Sequence, residues 1–266
     1  MTKFMTKMMD MQIEKKMKPI KAKDLLELDK NLEVVKLQCY PMPEQVIWQA
    51  GKGDYSEVPI HEVDVPNSQK CGEWIVEQLL ANDRGHWGPL EHPGITFSCS
   101  GFVHNVIVQA RTHRIGTSWD VQSQRYTGKR VVKVAKKELD IEDVFYVRPE
   151  GFYTNRKGKK YEWTSEHRQR KLGRILSECE EYAEYYEQGM CEEHIRDYLP
   201  QAIRQNFVVS FNLRSVLHFM DLRSKLDAQL EIQALCDAIT PELKSWAPNV
   251  WTYYEEKRLH KARLSP

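Results

Sequence analysis

Apolar positions along the chain change period from one stretch to the next, and each change marks an element. Val34 to Tyr40 (VVKLQCY) reads as a strand, ended by the Pro41 and Pro43 pair. Pro43 to Ala50 predicts a short helix and GKGDYS a loop after it. Between Cys71 and Ala81, Trp74, Ile75 and Leu79 fall at helical spacing while Glu73 and Glu77 take other faces, as in a core-facing helix. Glycine and proline make residues 84–94 (RGHWGPLEHPG) a loop, and Gly94 to Phe102 the strand that follows. Val103, Ile107 and Ala110 then share one buried helical face leading into QARTHRIGTSWDVQSQRY, Gln109 to Tyr126. After Gly116 the pattern shortens to alternation, which predicts Ser123 and Arg125 on one face of an extended segment.

Tyr126 to Trp163 is rich in Lys, Arg and Gly, with Val131, Val132 and Val134 in an alternating piece and a turn at Gly158. It reads as a hairpin-like, solvated excursion of the same domain. Ser165 to Gln188 is a long charged helix with Leu172, Ile175 and Cys179 at core spacing, Ser165 as N-cap and a wet acidic face. Residues 191–200 (CEEHIRDYLP) predict a short helix ended by Pro200. Farther on, Leu213, Val216, Leu217 and Met220 form an apolar stripe; Arg214, His218 and Asp221 take the opposite side, and Arg223 ends the helix.

With 266 residues, of which 39 are basic and 38 acidic, the chain suffices for one large domain with a net charge near +1. A general nucleic-acid binder would need a strong basic excess, so the arginines near residue 114 are a local feature. Six scattered cysteines without a CxxC pair fit neither a zinc site nor a disulfide framework, which points to a reduced, cytoplasmic compartment. No apolar run reaches membrane-span length. The Met/Lys-rich start lacks the unbroken apolar core of a secretory signal, and residues 1–30 read as a mobile tail, residues 31–266 as the domain.

The chemistry concentrates in two stretches. Arg111, His113, Arg114, Ser123 and Arg125 make a donor-rich cluster suited to phosphate oxygens, because guanidinium forks and hydroxyls give charge-assisted bonds at any physiological pH. His86, Glu91 and His92 invite a metal reading, but no third ligand follows at a helical or hairpin interval, and cross-linking a turn explains them as well. Taken alone, the helix carrying Arg214 and His218 would be an ordinary surface helix, and Arg196 an ordinary surface arginine.

Together these stretches resemble the flavin-dependent thymidylate synthases. Arg111, His113 and Arg114, then Ser123 and Arg125, match that family's Arg-His-Arg, seven residues, Ser-x-Arg signature, with single insertions at Thr112 and between Arg114 and Ser123. His86, Pro89, Leu90, Glu91 and His92 match its His-x-x-x-Pro-[FL]-Glu-His element. Asn212, Arg214, Ser215, Leu222, Arg223, Ala228, Gln229, Glu231 and Ile232 match its C-terminal run, with Asp227 where a histidine often stands.

The resemblance implies an α+β domain with a mixed sheet flanked by helices, assembled as a homotetramer with shared active sites. It implies conversion of dUMP to dTMP, with methylenetetrahydrofolate as carbon donor, NADPH as reductant and FAD as cofactor, and no metal. His86, Gly88, Glu91, Arg111, His113, Arg114, Ile115, Asn212, Arg214 and His218 would then hold FAD. Gln109, Gln122, Ser123, Gln124, Arg125 and Arg196 would hold dUMP, and Arg223 would bind the uracil edge and stabilise its developing charge. The register leaves two readings: with Arg111 as the first arginine the substrate-facing residue is Val108, and with His113 and Arg114 aligned it is Gln109. Gln109 is preferred, since a valine cannot replace its hydrogen bonds. A local bulge would bring Gln122 toward the substrate. The rival reading is a non-catalytic nucleotide- or nucleic-acid-binding module using the same arginines.

Overall fold

The computed structural model describes residues 18–155 and 157–261. In chain order its principal elements are α1 (Ala22–Leu28), β1 (Glu33–Cys39), α2 (Pro43–Gly53), α3 (Ser68–Ile75), β2 (Gly94–Val103), α4 (His104–Ala110), β3 (Thr117–Val121), α5 (Gln124–Thr127), α6 (Lys129–Ala135), α7 (Ile141–Val144), β4 (Gly151–Thr154), β5 (Lys160–Trp163), α8 (Ser165–Glu187), α9 (Glu192–Ile195), β6 (Arg204–Asn212), α10 (Leu213–Arg223), α11 (Leu230–Trp246) and α12 (Pro248–Lys257). Two compact units form from interleaved segments. One takes Gly101–Asn105, Gln122–Gln205 and the described residues up to Leu32; the other takes Glu33–Ser100, Val106–Val121 and the described residues from Asn206 on.

The second unit holds most of a four-stranded sheet in the order β1-β2-β6-β3. β1 and β2 pair antiparallel from Glu33↔Ser100 to Cys39↔Ile95, with a register shift between Lys36 and Gln38. β3 and β6 pair antiparallel from Thr117↔Phe211 to Val121↔Phe207. α11 crosses β1, where the Trp246 indole donates to the Tyr40 carbonyl at 2.7 Å. The helix expected from Cys71 to Ala81 is α3 followed by a π-turn over Val76–Leu80, and Asn67 caps it by accepting the Lys70 amide. Asp221, expected on the exposed side of its helix, is buried instead. Its carboxylate accepts the Tyr254 hydroxyl at 2.7 Å and an Arg258 guanidinium at 3.2 Å, so α12 braces α10. Burial pushes the Asp221 pKa up against these partners.

In the first unit α6 packs on α8. Val131, Val132 and Val134 are not alternating strand positions: they lie buried on one helical face, against Ile175, Cys179 and Tyr182 of α8. Short β-branched runs do not separate strand from helix by sequence period alone. The hairpin is confined to β4–β5, and Gly158 sits in its turn at φ +75°. α8 is capped by Thr164, one residue before the expected Ser165, because the Thr164 hydroxyl is the group that reaches the His167 amide. Of the expected tail, residues 1–17 lie outside the described residues; Ala22–Leu28 is helical with Leu25 fully buried.

Arg204 ties this unit together. It is nearly fully buried and donates to Asp29 (2.8 Å), the Glu142 carbonyl (2.7 Å) and the Gly101 carbonyl (2.8 Å), with its guanidinium over the Tyr146 ring. Gly101 has φ +76°, and a Cβ there would lie 1.9 Å from the Asn31 carbonyl, so only glycine fits. Among the described residues no helix is long and apolar enough to cross a membrane.

Arg204→Met should leave the Asp29 carboxylate without its ion-pair partner and cost about 3–5 kcal/mol. A urea denaturation midpoint unchanged from the parent would refute this role.

Candidate functional site

The site is built where the turn after α4 meets the start of α10, both within the second unit. α4 ends at Ala110, and the chain turns through Arg111–Gly116 into β3. Gly116 has φ +64°, and a Cβ there would lie 2.2 Å from the Ser215 hydroxyl and 2.3 Å from the Asn212 amide. Glycine therefore lets the turn lie directly on the α10 N-terminus. Asn212 caps α10 by accepting the Ser215 amide (2.8 Å), and the Ser215 hydroxyl donates to the Ile115 carbonyl (2.7 Å). Asn212, expected at the flavin, thus has its side-chain oxygen engaged in the cap.

At the other end of α10, Arg223 reaches back to the same turn. Its Nε donates to His113 Nε2 at 2.9 Å, and its Nη2 donates to the Gln109 carbonyl and the Thr112 hydroxyl, both at 3.1 Å. None of these acceptors is a carboxylate, so the positive charge of Arg223 is oriented without being cancelled. Burial lowers the Arg223 pKa, yet a guanidinium stays charged at any physiological pH. The His113 ring is wedged against Phe219 and His218 at centroid distances of 5.0 and 5.3 Å. Burial first, and then the charges of Arg223 and His218, drop its pKa to about 4. Its Nδ1 is buried with no hydrogen-bond partner among the described residues.

Thr112, His113, Arg114, Ile115, Arg214, Ser215, His218, Leu222 and Arg223, with Glu91, line a cavity of about 570 Å³. Glu91 is paired with Arg214 at 2.7 Å. The remaining lining is donor-rich on one side and apolar at Ile115 and Leu222. That set fits a planar, anionic cofactor such as FAD.

The other expected site residues are distributed as follows. Gln109 packs against Gln229, its side-chain amide donating to Gln229 Oε1, whereas Val108 points out and is 57 % exposed. Gln229 in turn donates to Glu231 at 2.8 Å. Arg111 is exposed and does not line the cavity, and Gly88 begins a 3₁₀ turn, Gly88–Glu91. His86 lies beside Asp54 at 3.5 Å and lines a separate cavity with Lys52, Tyr55, Trp74, Gln78 and Arg84. Gln122, Ser123, Gln124, Arg125 and Arg196 belong to the first unit. There Ser123 and Arg125 are not on an extended face. Gln124–Thr127 is a helical turn, closed by the Thr127 amide and hydroxyl on the Ser123 carbonyl at 3.2 and 2.9 Å. Ser123 makes no cap bond with its hydroxyl, Gln122 Oε1 is buried without a partner among the described residues, and Arg125 pairs with Glu193.

Thr112, an insertion relative to the family signature, presents its hydroxyl as an acceptor for Arg223. A polar residue beside His113 was the available signal. The thiols of Cys71, Cys99, Cys179 and Cys236 are all raised by burial, so none of these is an activated nucleophile.

A family model described as thymidylate synthase complementing protein matches residues 36–249. The flavin-dependent thymidylate synthase of Haloarcula marismortui is 31 % identical over 252 residues, covering 88 % of this chain and 100 % of that protein. That of Clostridium tetani is 28 % identical over 230 residues, covering 84 % and 86 %. Among solved structures, a flavin-dependent thymidylate synthase from Helicobacter pylori complexed with FAD and dUMP aligns with a TM-score of 0.60 at 18 % identity, covering 79 % of this chain and 92 % of that one. A UMP/dUMP methylase from Streptomyces cacaoi bound with 5-Br dUMP aligns with a TM-score of 0.67 at 17 % identity, covering 88 % and 97 %. These likenesses establish the fold.

The His113 pKa sets a pH dependence. Its folded value of about 4 lies below the ordinary 6.5, so between these pH values the unfolded chain binds the extra proton. The contribution is fully present above pH 6.5 and is lost as pH falls toward 4, at up to about 1.4 kcal/mol per unit. Urea midpoints of the parent and His113→Gln should converge as pH falls through that window; parallel profiles would contradict it.

Proposed function

The chain belongs to the flavin-dependent thymidylate synthase family, and from that premise we propose that it converts dUMP to dTMP by reductive methylation. Methylenetetrahydrofolate is the carbon donor and leaves as tetrahydrofolate. Bound FAD, reduced by NADPH, supplies the hydride. The observation that carries this reading is the convergence of Arg223, His113, Arg114, Arg214 and His218 on one cavity, with Arg223 anchored by uncharged groups.

Arg114, Arg214 and His218 would hold the cofactor, with Ile115 as an apolar wall. Arg223 Nη1 has no partner among the described residues, so its two N–H groups can meet the uracil edge and stabilise negative charge at N3 and O4 as the ring is activated. Ser123, the Gln124 backbone, Arg125 and Arg196 would clamp the phosphate, using binding energy remote from the reacting carbon to align the base. Gln109 is the substrate-side glutamine of the preferred register. A phosphate would have to displace Glu193 from Arg125, and a dianion is the stronger competitor for a guanidinium.

A homotetramer with shared active sites completes the proposal. Ile115, which lines the cavity and is 85 % exposed, and Val108, exposed on α4, are apolar side chains that a neighbouring subunit would cover. The same reading places the protein in the cytoplasm.

Tritium release from dUMP labelled at C5, dependent on flavin and folate, tests the activity directly. Arg223→Ala should retain flavin and lose most turnover; unchanged dTMP formation would remove Arg223 from the mechanism. Ser123→Ala should raise the dUMP KM about tenfold with kcat little altered, as expected for one lost bond to a charged group. An unaltered KM would count against the phosphate role.

A further inference from the structure

We propose that His113 is a positioning residue for Arg223: its imidazole serves as an uncharged acceptor at Nε2, keeps its proton on Nδ1, and so turns the remaining edge of the guanidinium toward the substrate. The proposal rests on the reading of Arg223 as the uracil-binding residue.

The geometry leaves little freedom. A guanidinium can only donate, so the 2.9 Å contact from Arg223 Nε requires a lone pair on His113 Nε2. The proton of the neutral ring is then on Nδ1, the atom that is buried without a partner. The ring cannot flip at no cost, because Phe219 and His218 wedge it from α10. The peptide carbonyl of His113 is fixed from β3 by the Thr117 hydroxyl (2.7 Å) and the Trp119 indole (3.2 Å). Meanwhile Nη2 of Arg223 is held by the Gln109 carbonyl and the Thr112 hydroxyl. Two of the three guanidinium nitrogens are therefore committed to the turn, and Nη1 alone remains for a ligand.

An acidic residue in place of His113 would hold Arg223 more tightly but cancel its charge. A charged imidazole would repel it. The uncharged ring aims the cation and leaves its full field for the developing negative charge on the substrate. The titratable and charged groups facing the ring are Arg223 and His218 on α10; Phe219, Thr117 and Trp119 bring no charge. Both facing groups favour the neutral form, which matches the depressed pKa of His113.

Two amide substitutions separate the roles of the two ring nitrogens. A glutamine places its amide near the position of Nε2, and an asparagine near that of Nδ1. At equal flavin content, His113→Asn should lower kcat/KM for dUMP by about 10- to 100-fold relative to His113→Gln, the loss expected for one hydrogen bond to a charged group. Equal activity of the two variants would overturn the proposal.

A second measurement needs neither flavin nor turnover. Nitrogen-15 NMR of the ligand-free protein should show His113 as the Nδ1–H tautomer with no titration between about pH 5 and 8. An Nε2–H tautomer, or titration near the ordinary histidine value, would overturn it. If the parent protein releases no tritium from labelled dUMP, the proposed reaction fails, while the tautomer is still decided by NMR.

Discussion

The guanidinium of Arg223 is held by groups that carry no charge of their own, and the neighbourhood is arranged around keeping it so. A cation drawn from water normally recruits a carboxylate; Arg204 takes Asp29, Arg214 takes Glu91 and Arg258 takes Asp221. Arg223 takes an imidazole, a peptide carbonyl and a hydroxyl. The first three pairings stabilise the fold or order the cavity wall. The fourth leaves the charge of Arg223 uncancelled by any of its hydrogen-bond partners. Of the three arginines that line the cavity, Arg223 is the one tied directly to the end of α4 and the turn after it by three hydrogen bonds.

That arrangement demands a close approach of two backbones, which the chain achieves with Gly116 and the Asn212 cap. The turn lies on the α10 N-terminus, and the α10 C-terminus returns to the turn through Arg223. The two ends of one helix thus contact a single short segment. The residues that line the cavity are far apart in sequence yet come from the short turn, from α10 and from the segment ending at Glu91. Rigid elements with locked side chains are what such a site needs.

Much of this was legible in the sequence. The strands β1 and β2, the helix α2 and the apolar stripe of α10 follow from period and punctuation. The His86–His92, Arg111–Arg125 and Asn212–Ile232 segments, in that family's order, carry the resemblance in sequence alone. What the sequence could not supply is which face a residue takes when the period is ambiguous. Val131, Val132 and Val134 suit a strand or a helix, and only α8 decides between them. Ser123 and Arg125 alternate in sequence but sit on a helical turn, because the Thr127 hydroxyl closes it on the Ser123 carbonyl. Asp221 looked like a surface acid until α12 supplied Tyr254 and Arg258. Long-range partners of this kind leave no local trace.

The brace on Asp221 has a further bearing. Tyr254 and Arg258 lie past residue 249, where the match to the family model stops, yet they grip the acid two positions before Arg223. The helix that carries the cation is therefore steadied by a stretch beyond the residues that the family model matches. Relatives that end differently must secure the same helix by other means. A cut that removed Tyr254 and Arg258 would loosen that helix, although neither residue lines the cavity.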